Sequence, residues 1–185
     1  MTPPSLETDR LLLRSFHLGD APEVQRLAGD VDIASTTLEI PHPYEDGIAE
    51  EWISTHKERY DRGGFVCFAI VLKQSNTLIG SISLTIEPKH DRCELGYWIG
   101  KPYWGNGYCT EAANAIICFG FDVMKLNRIY SHHMIRNPAS GRVLEKLGMN
   151  YEGYSRQHVK KFGVYEYIRL YSMLYSEYRG LWASS

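Results

Sequence analysis

The chain is poor in the features that most directly announce a function. It has 4 cysteines among 185 residues. Cys67, Cys93, Cys109 and Cys118 form no close pair of the kind that holds a metal, and they are too sparse for a disulfide framework. A reduced, cytoplasmic protein with no metal is the expectation. No stretch approaches the roughly 18 continuous apolar residues of a membrane span, and Met1-Thr2-Pro3-Pro4 lacks the apolar segment of a secretory signal. Charge of one sign is not in excess: 20 Lys and Arg stand against 22 Asp and Glu, a net charge of −2. Bulk charge therefore gives no case for nucleic-acid binding. The phosphate loop GxxxxGK[ST] is missing. So is the dinucleotide fingerprint GxGxxG, because Thr110 stands where a third glycine would follow Gly105 and Gly107.

What is present is an ordinary globular composition, 44% hydrophobic and 23% charged, with an unusual 13 tyrosines. The length suits one domain over 1–185 with a sizeable core. Leu11 to Phe16 reads as a first strand, and Asp20 as the N-cap of a short helix with Pro22 in its first turn and Glu23 at N3. Residues 30–44 read as loop or broken helix. Glu45 to Asp61 reads as one helix, closed by Gly63-Gly64. Phe65–Leu72, Leu78–Ile86 and Cys93–Ile99 follow as a meander, the second alternating Ile82, Leu84 and Ile86 against Ser81, Ser83 and Thr85. Then come a glycine- and aromatic-rich loop, a helix from Tyr108 to Val123, a strand over 128–132 and a helix from Asn137 or Pro138 to Gly148. Met149–Tyr154 and Tyr165–Tyr175 read as a hairpin around a polar loop, 156–163. This order predicts one mixed α/β sheet covered by helices.

The segment Gly96 to Ala112 carries the chemistry. Glycines between a strand and a helix let the backbone curl, and the first amides of the helix lack internal partners at the positive end of its dipole. That makes an anion site suited to phosphate or pyrophosphate. A tight turn packed by aromatics is the alternative reading of the same glycines.

Four blocks, in order, extend the pattern: Thr8-Asp9-Arg10-Leu11-Leu12-Leu13-Arg14; Glu94-Leu95-Gly96-Tyr97-Trp98-Ile99; Tyr103-Trp104-Gly105-Asn106-Gly107-Tyr108 with Thr110-Glu111-Ala112; and Asn137-Pro138-Ala139-Ser140 through Leu144-Glu145-Lys146-Leu147-Gly148-Met149. Over about residues 6–178 the chain resembles the GNAT acetyltransferase superfamily, and within it the ribosomal-protein alanine and serine N-acetyltransferases. The resemblance implies a mixed, mostly antiparallel, splayed sheet in which strands near 93–99 and 127–133 part at their ends. It implies acetyl-coenzyme A as co-substrate, its pantetheine arm along Trp98 and Ile99 and its pyrophosphate at the amides of Trp104, Gly105, Asn106, Gly107, Tyr108 and Cys109. Asn137, Ser140, Arg142 and Lys146 are further expected contacts, and Lys101 is a third basic candidate for the phosphates.

The implied reaction is direct acetyl transfer to a primary amine, above all a protein or peptide N-terminal amine. The amine must be neutral to attack, so a proton acceptor helps, and the departing thiolate needs a donor. Glu94 is the expected base, acting through a water. Ser140 is the expected donor to sulfur, and Asn137 is placed to cap its helix, touch the pantetheine arm, or both. Strand alternation puts Glu94 with Gly96 and Trp98, opposite Leu95 and Tyr97. Two departures from the superfamily matter: Leu144 replaces a tyrosine that protonates the thiolate, and Pro102 replaces an Arg or Gln before the glycine loop. On the acceptor side, Trp52, Tyr44, His42 and the 31–45 loop are candidates to line a groove, and Arg156, His158, Lys160 and Lys161 form a basic patch. His132 and His133 point oppositely and are poor metal co-ligands. Tyr97, Tyr103 and Trp104 read as core or cofactor-flanking aromatics. A small-molecule amine acceptor, another acyl donor such as succinyl-coenzyme A, and a non-catalytic coenzyme-binding or interaction module are the competing readings. A homodimer is compatible with the resemblance.

Overall fold

The computed structural model describes residues 2–182; Met1 and 183–185, ends of the expected domain, lie outside the described residues. In chain order the elements are β1 (Leu6–Glu7), β2 (Leu11–Arg14), α1 (Ala21–Ala28), α2 (Val31–Ala34), α3 (Ile48–Ser54), α4 (His56–Asp61), β3 (Phe65–Leu72), β4 (Thr77–Glu87), β5 (Arg92–Ile99), α5 (Tyr108–Cys118), β6 (Arg128–Met134), α6 (Pro138–Lys146), β7 (Asn150–Lys161), β8 (Val164–Leu174) and α7 (Tyr175–Trp182). The strands form one eight-stranded sheet in the order β1-β2-β3-β4-β5-β6-β8-β7. All neighbours are antiparallel except β5 and β6.

β3 is apolar without alternation because both its faces are covered. Val66, Phe68 and Ile70 join Ala112, Ala113, Ile116 and Ile117 of α5 in one cluster, while Ala69 and Val71 join Val24, Leu27 and Ile53 of α1 and α3 in another. Each fully buried aliphatic side chain contributes about 1.5–3 kcal/mol. β5 divides its residues between the same two layers: Leu95, Tyr97 and Ile99 meet the α5 side, and Trp98 meets the α1 side. Glu94 and Gly96 share Trp98's face, as alternation requires.

Several expected boundaries need correction. The helix expected over Glu45–Asp61 is two helices, entered at Gly47 with φ 88° and interrupted at Thr55. The hydroxyls of Ser54 and Thr55 donate to the carbonyls of Glu51 (2.7 Å) and Trp52 (2.8 Å), competing with the helical ladder. Asp20 precedes α1 but makes no cap bond; its carboxylate accepts from Arg14 (2.7 and 2.8 Å) and from the His17 amide (3.0 Å). The strand expected first, from Leu11 to Phe16, is β2: it stops at Arg14 and is preceded by the short β1. α5 ends at Cys118, and a π turn completes the segment to Val123. The polar stretch 156–163 is no loop. β7 runs through it to Lys161 with an irregularity between Ser155 and Val159, and the turn is confined to Phe162 (φ 48°) and Gly163 (φ 83°). Its polarity reflects an arm wetted on both sides, which composition cannot tell from a loop. Tyr175 opens α7, whose first turn is held by Glu177 accepting from the Leu174 amide at 2.8 Å.

Candidate active site

β5 and β6 are parallel neighbours over only three register pairs, Arg92 with Arg128, Cys93 with Ile129 and Glu94 with Tyr130. Beyond Glu94 they part. The Ser131 hydroxyl donates to the Leu95 carbonyl at 2.8 Å, at the point of divergence. The free edge of β5 therefore runs from Leu95 toward Trp98 and Ile99, though the Ile99 carbonyl already accepts the Trp104 indole N–H at 2.6 Å.

The glycine loop lies at the open end. Gly105 and Gly107 both have φ 78°, a left-handed conformation that favours glycine. A Cβ at Gly105 would meet nothing within 4 Å, so this glycine serves conformation and not close packing. The first α5 amide with a helical acceptor is Glu111, bonded to the Gly107 carbonyl at 3.1 Å. The amides from Gly105 to Thr110 find no acceptor among the described residues. Successive unpartnered N–H groups at a helix N-terminus are what a pyrophosphate requires.

A clamp the sequence reading did not identify holds this loop. Glu111 accepts from the Thr8 hydroxyl (2.6 Å), the Arg10 amide (3.0 Å) and Arg10 Nε (2.6 Å). Arg10 Nη1 also donates to the Asn106 carbonyl at 3.0 Å, and its guanidinium lies 4.6 Å from the centroid of the Tyr108 ring. Partial burial opposes the charge on Glu111, but the bonds from Thr8 and Arg10 outweigh it and hold its carboxyl below the ordinary value. The signal was available: Thr8-x-Arg10 and Glu111 stood in separate blocks of the sequence pattern.

Across the split, the Asn137 side chain caps α6 by accepting from the Ser140 amide at 3.2 Å. The Tyr97 hydroxyl reaches over from β5 to Ser140, 2.9 Å from Oγ and 3.1 Å from the carbonyl. Burial pushes the Tyr97 phenol upward, so it stays protonated and available as a donor. The structure thus gives Ser140 a partner that sequence spacing did not suggest. Leu144 is fully buried. Burial pushes the thiol of Cys109, at the start of α5, up to about 12.

The opposite face of the split is polar. Glu94 Oε1 lies 3.0 Å from His132 Nδ1, with both side chains partly exposed. His133 points the other way, buried at 5% exposure against Gly141 of α6. Around the Glu94–His132 pair, carboxylates and cations are matched: Glu87 with Arg92, Glu152 with Arg128, and Glu166 with Arg136.

The remaining candidates scatter. Lys101 pairs with Asp32, away from a free phosphate role. Arg142 and Lys146 are exposed on α6 with no ion pair among the described residues. Trp52 packs edge-on to Phe16 and His56. Lys161 does not belong to a solvated basic patch: it is 6% exposed, and its ammonium donates to the carbonyls of Leu38 (3.1 Å) and Ile40 (2.6 Å). Arg136 likewise bonds the Ser35 carbonyl. The 35–40 segment is thereby tied to the β7–β8 arm. Among the described residues no group of three or more His, Cys, Asp or Glu is placed to hold a metal, and no helix is long and apolar enough to cross a membrane.

Comparison with known proteins agrees with this geometry. Residues 10–150 match the family model described as an acetyltransferase (GNAT) domain. The chain is 30% identical over 178 residues to the uncharacterised N-acetyltransferase p20 of Bacillus licheniformis, covering 95% of this chain and 99% of that one. It is 28% identical over 165 residues to the ribosomal protein uS5-alanine N-acetyltransferase of Escherichia coli, covering 83% and 82%. A GNAT-family acetyltransferase structure from Bacillus anthracis superposes with a TM-score of 0.83 at 27% identity, covering 94% of this chain and 100% of that one. A family match over most of the chain, a splayed parallel pair and an unpartnered amide cradle agree: this chain belongs to the GNAT family and is an acetyl-coenzyme-A-dependent acyltransferase.

Proposed function

We propose that the chain acetylates a primary amine, in the first instance the α-amine of a protein or peptide N-terminus. The observation that carries this reading is the division of labour across the split. The amides of Gly105–Thr110 and the Ser140–Tyr97 pair lie toward α5 and α6, while Glu94 and His132 lie on the other face. The coenzyme, when bound, supplies the activated acetyl group. The amides from Gly105 to Cys109 would receive its pyrophosphate, with Arg142 and Lys146 as candidate phosphate partners; the Trp104 amide, expected among them, already donates to the Lys101 carbonyl at 3.2 Å. The β5 edge at Trp98 and Ile99 and the α6 start at Asn137 and Ser140 would flank its arm. Ser140, steadied by Tyr97, is the hydroxyl placed to donate to the departing sulfur in place of the tyrosine that Leu144 replaces. Glu94 belongs to the proton-accepting side.

Two features favour a chain terminus over a polycationic small molecule. The acceptor face pairs each of Glu87, Glu152 and Glu166 with an arginine, so it offers no excess negative field to a polyamine or aminoglycoside. The 35–40 segment is held in place by Lys161 and Arg136, and in this reading it would border the approach of an extended chain. Similarity to an enzyme named for an alanine terminus of a ribosomal protein points the same way.

The test begins with calorimetric titration of acetyl-coenzyme A, where one-site micromolar binding is expected. Mass-spectrometric acetylation assays then compare peptides with free N-terminal alanine or serine against spermidine. Peptide turnover supports the proposal; turnover of spermidine alone transfers the protein to the small-amine class; no binding by folded protein ends the transferase reading.

A further inference from the structure

The sequence made Glu94 the base, but the structure gives that carboxylate an imidazole. His132 sits two residues beyond Tyr130, the last β6 residue paired to β5, so its ring lies where the strands part. Its Nδ1 is 3.0 Å from Glu94 Oε1. Its Nε2 has no partner among the described residues, and the side chain is 19% exposed, enough to be reached. The ring is set by the β6–β8 ladder, where His132 stands opposite Leu170.

We propose that His132 is the catalytic base and that Glu94 is a positioning residue acting through it. This rests on the transferase reading above. The carboxylate charge 3.0 Å from Nδ1 favours the tautomer with the proton on Nδ1, which leaves a lone pair on Nε2. Imidazoles titrate nearer neutrality than carboxylates, so the same carboxylate serves better as orienter than as proton acceptor for an amine. In the reaction the neutral amine forms a C–N bond to the acetyl carbon and the C–S bond breaks. One N–H proton passes to His132 Nε2, and the thiolate takes one proton, from the Ser140 side or from solvent. His132 returns its proton to solvent, so amine and thioester give amide and thiol with nothing left over.

Other charges on this face are committed elsewhere. On β6, Arg128 binds Glu152 and Ser172, and the Tyr130 hydroxyl donates to Glu87, which is itself paired with Arg92 of β5. Ile168, Leu170 and Ser172 of β8 bring no charge, and Glu166 is paired with Arg136. Among the described residues, Glu94 is the one ionisable group within ion-pair distance of His132.

Long-range 1H–15N spectra of the full-length protein at about pH 8 read the tautomer without any substrate, with H132Q assigning the signal. The proton is expected on Nδ1 in the wild type, and E94Q should shift population to the Nε2–H form. A wild-type ring carrying its proton on Nε2 overturns the proposal. With an amine turned over in the peptide and spermidine assays, H132Q should lower kcat about 10²–10⁴-fold and erase the near-neutral limb of the kcat/KM profile. E94Q should lose less and keep the limb. A limb kept in H132Q and erased in E94Q makes the carboxylate the base and overturns the proposal. Failure of acetyl-coenzyme A to bind would instead remove the transferase reading, leaving the tautomer result as measured.

Discussion

Arg10 and Glu111 are 101 positions apart in sequence and joined by a 2.6 Å ion pair in space. The pair fixes the start of α5 to the start of the sheet, and Arg10 extends the hold to the Asn106 carbonyl within the glycine loop. Order in that loop keeps its amides aimed outward without a ligand to organise them, which lowers the entropy lost on binding. E111A should raise the Kd for acetyl-coenzyme A about tenfold, about 1.4 kcal/mol, while the exposed half of the pair keeps the fall in Tm small. Calorimetry beside thermal melts checks it. A large fall in Tm with unchanged affinity would make the clamp a fold element only.

The loop glycines are replaceable in proportion to how well a residue tolerates a left-handed backbone. Both lie at φ 78°, and neither position is crowded: nothing lies within 4 Å of a Cβ at Gly105, and Arg10 Nη2 is 3.6 Å from one at Gly107. Strain, about 1–2 kcal/mol, should therefore dominate over clash. G107V should weaken acetyl-coenzyme A binding at least tenfold and G107N clearly less, because asparagine enters this region more readily. Equal losses in the two titrations would point to steric blockage instead.

Acid sensitivity should begin well above the carboxylate range, because of His56. Its two ring nitrogens are buried without partners among Trp52, Phe16 and Phe65. Burial, helped by the Arg59 charge, lowers its pKa from 6.5 to about 4. As pH falls below 6.5 the unfolded chain takes the proton first, so the stability due to neutral His56 is full above 6.5 and fades down to about 4. The loss is of order 3 kcal/mol, worth roughly 5–10 °C in Tm. Asp20 and Glu152, both held below their ordinary values, act in a lower window, as pH falls below 3.8 and 4.5 respectively. Thermal melts from about pH 7.5 to 5 should show a decline in the wild type that H56F reduces, the remainder coming from His133, which burial also lowers. Parallel declines in both proteins would assign it to another group.

The meander, the glycine loop and the capped α6 were legible because each is written locally: alternation in β4, apolar continuity in β3, glycines before α5, and Asn137-Pro138 at a helix start. The active-site partners were not, because they arise between segments. Nothing near Glu94 in sequence announces His132, whose approach depends on the parallel register of β5 with β6. Tyr97 looked like core, and it is largely core; only its hydroxyl crosses to Ser140. Polar residues on the β7–β8 arm hid a strand, since alternation carries no hydrophobic signal where both faces are wet.

Lys161 illustrates the same limit and sharpens the acceptor question. Among four basic residues it reads as surface charge, yet its ammonium is buried and satisfies two carbonyls of the 35–40 segment. Burial and the nearby Arg136 charge lower its pKa, so the site stabilises the cation only through those carbonyls. K161M keeps the apolar stem and leaves the Leu38 and Ile40 carbonyls without this donor, a loss of about 1–3 kcal/mol. If the segment roofs the acceptor approach, K161M should leave acetyl-coenzyme A affinity unchanged. It should raise KM for a peptide amine several-fold and relax discrimination between alanine and bulkier first residues. A lower Tm with unaltered KM and selectivity would confine Lys161 to holding the fold. The coenzyme site supplies the control, since the loop clamp at Arg10 and Glu111 shares no residue with this tie.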